Sequence, residues 1–157
     1  VLKRNADIES SVGKARAAHE HYSLFRDYID TRPGEGGMAD MTVLDFAAMV
    51  DDSFVDSRLV EYRFKPDAEP AGALASAVLI DILGDGISMI YSFFDPELEH
   101  RSLGTLMILD NIYRARRLGL PYLYLGYWVN GSPKMNYKSQ FLPQERLTAE
   151  GWVLYRR

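Results

Sequence analysis

The chain has 157 residues, 47% of them hydrophobic and 25% charged. That balance suits a single domain with one core and excludes wholesale disorder. Net charge is −4, from 22 acidic and 18 basic residues, which argues against a broad basic face on duplex nucleic acid but allows one local basic cleft.

There is no cysteine, so disulfides, a thiol nucleophile and a zinc–thiolate site are excluded. His19, His21 and His100 are too few and too scattered to suggest a metal cluster, and His19 and His21 read as solvated or partly packed surface residues. No run approaches the ~18–20 apolar residues of a membrane span. Lys3, Arg4, Asp7 and Glu9 break up any signal peptide. A cytoplasmic protein with no membrane partner is expected. The chain opens at Val1 rather than methionine, which fits a fragment of a longer protein.

Residues 1–13 show no clear pattern. Lys14 to Thr31 reads as a helix, with Tyr22, Phe25, Tyr28 and Ile29 along one face. Arg32-Pro33-Gly34 ends it, and Gly34, Gly36 and Gly37 form a loop. Thr42-Val43-Leu44-Asp45 fits a capping box for a second helix, which stops near Asp51-Asp52-Ser53. Leu59 to Phe64 then alternates as a strand, with Leu59, Glu61 and Arg63 opposite Val60, Tyr62 and Phe64. Ala73 to Leu83 and Ile87 to Phe94 follow as strands of an antiparallel meander, with a hairpin turn at Asp85-Gly86.

Ser102 to Leu118 is the longest helical pattern. Its inward stripe is centred on Leu106, Leu109 and Tyr113 and flanked by Leu103 and Ile112. Arg114, Arg116 and Arg117 crowd its last turn, where they complement the helix dipole; an RNA contact accounts for them equally well. After Gly119, Tyr122 to Val129 reads as a strand buried on both faces. Asn130-Gly131-Ser132-Pro133 turns the chain, and Ser132 to Phe141 reads as a short helix or turn with Pro133 at its first position. Gln144 to Ala149 reads as a further helical turn, and Trp152 to Tyr155 as a closing strand.

The segment 87–129 is then a βαβ unit with two parallel neighbouring strands. The whole is an α+β domain: residues 1–57 supply its helical N-terminal part, and 58–157 its mixed sheet and crossover helix. This is the layout of GNAT-like acyltransferases, one of several α+β arrangements that the element order allows.

Ligands of βαβ units lie beyond the first strand, near the start of the crossover helix. Here that region carries Asp95, Arg101, Ser102 and Gly104. Arg101, Ser102 and the amides from Leu103 to Thr105 suit a phosphate, although a helix cap at Ser102 explains the same residues. Thr105-Leu106, where a further glycine is wanted, counts against coenzyme A. Lys134 and Lys138, one helical turn apart, and Tyr137 should converge on the same end of the sheet as Arg101, forming a polyanion site. Asp95 is the best carboxylate for managing a proton, though it also suits the start of an Asp-Pro turn. No Ser-His-Asp or Cys-His arrangement indicates a covalent intermediate.

Tyr91-Ser92-Phe93-Phe94-Asp95-Pro96, Arg101-Ser102-Leu103-Gly104-Thr105, Tyr122 to Trp128, and Lys134-Met135-x-Tyr137-Lys138 together resemble the C-terminal domain of aminoacyl-tRNA–protein transferases. This family comprises the arginyl-tRNA–protein transferases and their bacterial leucyl relatives. Phe141-x-Pro143-x-Glu145, Glu20-x-Tyr22 through Tyr28, and the Gly36-Gly37-Met38 loop extend the likeness over nearly the whole chain.

The resemblance implies a GNAT-like fold, no cofactor, and aminoacyl-tRNA as co-substrate. Leucine or arginine would pass to the α-amino group of proteins with N-terminal Asp or Glu, marking them for N-degron proteolysis. The family's usual N-terminal cysteine-containing domain has no counterpart here, and Ser132 stands where many relatives have cysteine. The lack of large insertions favours the leucyl branch.

On this reading the reaction is aminolysis of an ester. Asp95 orients or deprotonates the amine, and the Tyr127 hydroxyl or backbone amides near 126–131 meet the oxyanion. Arg101, Lys134 and Lys138 meet tRNA phosphates or the acceptor's acidic side chain, and Tyr137 stacks on the terminal adenine. An acyl-coenzyme A N-acyltransferase and a non-catalytic module that binds acidic N-termini are the competing readings.

Overall fold

The structure, a computed structural model, describes residues 1–32 and 36–156. The chain divides into two units, Val1–Tyr124 and Leu125–Arg157.

The first unit is framed by a five-stranded sheet. Strands β1 (Ile8–Lys14), β2 (Asp56–Phe64), β3 (Leu74–Ile82) and β4 (Gly86–Phe94) are antiparallel neighbours in chain order, and β5 (Tyr122–Tyr124) pairs with β4 in parallel. Helices α1 (His19–Asp30) and α2 (Val43–Asp51) precede β2, and α3 (Leu103–Arg117) crosses from β4 to β5. The mixed α+β sheet with a parallel pair joined by a crossover helix is as expected.

Alternation along β2 sends its side chains into two cores. Val60, Tyr62 and Phe64 pack with Leu103, Leu106 and Met107 of α3. Leu59 packs on the other face with Phe25, Ile29, Phe46 and Val50 of α1 and α2. Both faces of the sheet are therefore covered, which is why β3 is apolar along most of its length. The Phe25 and Phe46 rings lie tilted to each other with centroids 5.0 Å apart, and Phe93 is edge-on to Phe25 at 6.1 Å. Thr42 caps α2 as expected: the Asp45 amide donates to Thr42 Oγ1 at 3.2 Å and the Thr42 amide donates to Asp45 Oδ2 at 2.9 Å.

Several local expectations are corrected. Residues 8–14 form β1, an edge strand whose polar sequence hides its pairing with β2. Helix α1 begins at His19 rather than Lys14. Ala17 donates its amide to Asp51 Oδ1 (2.7 Å) and Ala18 donates its amide to His21 Nδ1 (2.9 Å), holding 15–18 out of the helix. His21 is a core residue, 5% exposed, and not a surface one. Of the loop read after α1, Pro33 and Gly34 lie outside the described residues, and Gly36–Met38 is a single 3-10 turn.

The hairpin loop is Gly84-Asp85 rather than Asp85-Gly86, since the Leu83 amide donates to Gly86 O at 2.8 Å. In α3 the buried residues are Leu103, Leu106, Met107, Ile108, Asn111 and Ala115, whereas Tyr113 is 46% exposed. A polar core residue displaced the stripe: Asn111 donates to the Met107 carbonyl (2.9 Å) and the Tyr62 hydroxyl (3.3 Å).

The strand expected over Tyr122 to Val129 stops at Tyr124, and Tyr122 is exposed. Among the described residues, Gly86, Ile87 and Ser88 alone pair with it. At this contact Gly86 is required, because a Cβ there would lie 2.7 Å from Tyr122 O and 2.8 Å from the Tyr124 ring.

In the second unit, β6 (Gln144–Thr148) and β7 (Gly151–Tyr155) form an antiparallel hairpin. The helical turn expected over Gln144 to Ala149 is thus a strand: its polar residues find partners in β7, with Leu147 opposite Trp152. The closing strand is present but belongs to this two-stranded sheet. Arg146 lies 4.1 Å from the Trp128 ring and 4.3 Å from the Tyr155 ring, a cation between two aromatic faces.

Candidate functional site

In the first unit the site region starts with a defect in strand pairing. Leu79 faces Tyr91 while Ile80 faces Met89, so Ile90 is an extra residue in β4. Such a bulge bends a strand and re-aims its edge. Just before it, β5 leaves β4, and from Met89 to Phe94 no strand pairs with β4 on that side among the described residues. Its backbone groups there form an open edge ending at Asp95.

Asp95 is half-buried and starts the 3-10 turn Pro96–Arg101, its Oδ1 accepting the Glu97 amide at 2.9 Å. The Asp-Pro turn and the position at the strand's end therefore coexist. Ser102 follows with φ 57°, a left-handed conformation uncommon for a residue other than glycine, asparagine or aspartate. It occupies the N-cap of α3, yet its side chain makes no capping hydrogen bond. The first amides of α3, including that of Gly104, thus lack the side-chain acceptor that a helix cap at Ser102 would supply.

Arg101 is committed to a partner that sequence reading missed. It donates to both oxygens of Asp7 at 2.7 and 3.0 Å and to Arg4 O at 3.3 Å, and it lies 5.1 Å from the Phe64 ring. The pair holds the Asp7 carboxyl below the usual range, chiefly through the Arg101 hydrogen bond. Arg4 donates to His100 O at 2.6 Å and Asn5 to Arg101 O at 3.0 Å, so the N-terminal residues clasp this turn.

A second polar chain crosses the same unit. His21 Nδ1 accepts the Ala18 amide, which leaves Nε2 as the donor to Glu61 Oε1 at 2.5 Å. Arg63 donates to Glu61 Oε2 at 2.9 Å and to both oxygens of Glu20 at 2.9 and 2.7 Å. The Glu61 and Glu20 carboxyls are both lowered, mainly by Arg63. The alternation of Leu59, Glu61 and Arg63 was the only sequence signal of this network.

In the second unit, Gly131 (φ 79°) allows the turn before Ser132, and the Met135 amide donates to Ser132 O at 3.0 Å. Lys134 is exposed in that turn, while Tyr137 and Lys138 lie in the 3-10 turn Asn136–Gln140. Lys134 and Lys138 therefore do not share the face of a continuous helix, and Pro133 precedes the helical element instead of starting it.

Lys138 Nζ donates to Leu125 O at 2.8 Å and Tyr127 O at 3.3 Å, and burial lowers its pKa from the ordinary lysine value. Tyr127 is 90% exposed. Among the described residues no group of three or more His, Cys, Asp or Glu could hold a metal, and no helix is long and apolar enough to cross a membrane.

Residues 20–148 match the family described as arginine-tRNA-protein transferase, C terminus. The chain belongs to this family. The matched segment includes every candidate residue named above. The chain is also similar to the aspartate/glutamate leucyltransferases of Afipia carboxidovorans (58% identical over 98% of this chain and 61% of that protein) and Nitrobacter hamburgensis (56%, 98% and 61%). That of Methylorubrum populi is 58% identical over 98% of this chain and 64% of its own length. The chain spans about three fifths of the length of these relatives.

Proposed function

We propose that the protein carrying this chain is a cytoplasmic aminoacyl-tRNA–protein transferase. It moves leucine from charged tRNA to the α-amino group of proteins beginning with Asp or Glu and so marks them for proteolysis. Leucine is preferred over arginine as donor because the similar proteins are named leucyltransferases. The observation that carries the reading is the open β4 edge ending at Asp95, inside the stretch matched by the transferase family. The bulge at Ile90 and the early divergence of β5 support a GNAT-like fold.

In the reaction the acceptor's neutral amine attacks the ester carbonyl carbon. A C–N bond forms, the C–O bond to the ribose breaks, and the ribose oxygen leaves with a proton. Holding amine and ester together supplies a large part of the acceleration. Asp95 has one carboxylate oxygen on the Glu97 amide, which fixes the carboxylate for orienting the ammonium and taking its proton directly or through water. The N-terminus of α3, which no side chain caps, at Ser102 and Gly104, suits a phosphate.

Lys134 is assigned to tRNA phosphates, and Tyr137 to stacking on the terminal adenine. Lys138 has three N–H donors, of which two meet carbonyls; the third is assigned to the substrate. The Tyr127 hydroxyl is a donor to the oxyanion. Arg101 supports the loop through Asp7, so its part in binding is to position Ser102 and the amides beyond it.

The test supplies radiolabelled Leu-tRNA and Arg-tRNA, in parallel, to peptides beginning with Asp, Glu, Lys or Ala. Label from Leu-tRNA on the Asp and Glu peptides alone is expected. Transfer from neither donor to any peptide by the whole protein refutes the assignment.

A further inference from the structure

At the other end of the sheet from Asp95, still within the first unit, α3 and the strands leave a groove of about 360 Å³. Its apolar lining includes Ile80, Ile82 and Leu118, and its charged lining is Arg58, Arg114, Arg117 and Asp56. The dipole of α3 accounts for basic residues in its last turn. It does not account for Arg58, which reaches the same groove from β2.

The arginines are held in different ways. Arg114 donates to Asp110 Oδ2 at 2.7 Å and to Asn111 Oδ1 at 3.3 Å. Both partners are fixed by the buried Tyr62 hydroxyl, which donates to Asp110 at 2.9 Å and accepts from Asn111 at 3.3 Å. Arg58 pairs with Asp56 at 2.8 Å. Arg117 makes no ion pair or side-chain hydrogen bond among the described residues. A pinned arginine beside one with open donors is a pre-organised fork for phosphate oxygens. The concentration is local, since the whole chain is acidic, with net charge −4.

We propose that this groove binds backbone phosphate of the tRNA co-substrate, away from its aminoacylated end; the proposal rests on the transferase reading above. Arg117 lies fourteen residues along α3 from Leu103, roughly 20 Å at the helical rise per residue. A folded RNA can reach both ends of the helix, whereas recognising a terminal Asp or Glu needs only the first residues of an acceptor. An acidic protein partner is therefore the less favoured occupant.

The experiment compares the whole protein with its Arg58→Ala/Arg117→Ala double variant, and with Arg117→Glu as a single surface change. Binding of uncharged tRNA is measured by fluorescence anisotropy across a salt series. Transfer rates are measured with Leu-tRNA and with the single-nucleoside ester leucyl-adenosine. The double variant should bind tRNA roughly tenfold more weakly, and its log–log salt slope should fall by about 0.7–0.9 for each phosphate no longer neutralised. KM for Leu-tRNA should rise to match, with kcat, KM for the acceptor peptide and the leucyl-adenosine rate unchanged.

Unchanged tRNA binding in both variants overturns the groove assignment while leaving transfer intact. An equal loss with leucyl-adenosine, or a raised KM for the acceptor peptide in place of tRNA, also overturns it. Weaker tRNA binding by the variants in a protein that transfers no label supports the groove and sinks the transferase reading alone. A protein that binds no tRNA at all overturns both.

Discussion

Arg101 grips both carboxylate oxygens of Asp7, at 2.7 and 3.0 Å, and so ties the segment before β1 to the turn that leads into α3. A cation that reads from sequence as a phosphate ligand is, in the fold, the clasp of the loop that would carry the phosphate site.

Asp7→Asn should loosen that clasp. The pair is partly exposed, so a loss of about 1 kcal/mol is expected, read as a small drop in urea midpoint. Asp7 has a lowered carboxyl pKa in the fold. Its contribution is therefore present above the unfolded value near 4 and is lost as pH falls through the folded one. The difference between wild type and variant should shrink below about pH 4. A constant difference from pH 7 to pH 2 would show that the charge is not what stabilises the turn.

Glu61 follows the same sign. Arg63 and His21 both donate to it, and its carboxyl is lowered. Glu61→Gln should flatten the acid limb of the stability–pH curve between about pH 5 and 3. It should also cost about 1–3 kcal/mol at pH 7, because Arg63 and the buried His21 lose a charged acceptor. Equilibrium denaturation at stepped pH measures both effects.

Gly86→Ala should be among the most damaging single changes in the sheet. The added methyl meets the Tyr122 carbonyl oxygen, a backbone atom that cannot swing aside. A loss of about 1–3 kcal/mol is expected, with hydrogen exchange rising first at Tyr122–Tyr124. Protection of β5 equal to wild type would refute the close-approach argument.

Lys138→Ala removes the ammonium that holds the Leu125 and Tyr127 carbonyls. The stretch from Leu125 to Val129 should become more susceptible to proteolysis, and transfer should fall at least tenfold, about 1.4 kcal/mol of barrier. If transfer falls while proteolysis does not change, Lys138 acts on substrate alone.

Much of the domain was readable one residue at a time. The alternation of Leu59 to Phe64, the capping box at Thr42 and the strand from Ile87 with its crossover helix are local patterns, and each is written in consecutive side chains. Asp95, Ser102 and Lys138 were singled out as candidates from motif spacing and turn chemistry, which need no tertiary contact. What was not legible depends on distant partners. β1 is polar and finds its strand neighbour some fifty residues on. Asn111 has no apolar signal to mark it as core, and its burial follows from the partner that Tyr62 supplies.

Sequence alone determined which segments alternate, where helix α2 starts and which family motifs the chain carries, because these follow from backbone periodicity and short-range hydrogen bonding. Only the tertiary structure decided that Arg101 belongs to Asp7, that His21 is buried against Glu61, and that β5 leaves β4 after three residues. Those outcomes are set by which charges and backbone edges are left unpaired once the two cores have closed. No local pattern encodes that remainder.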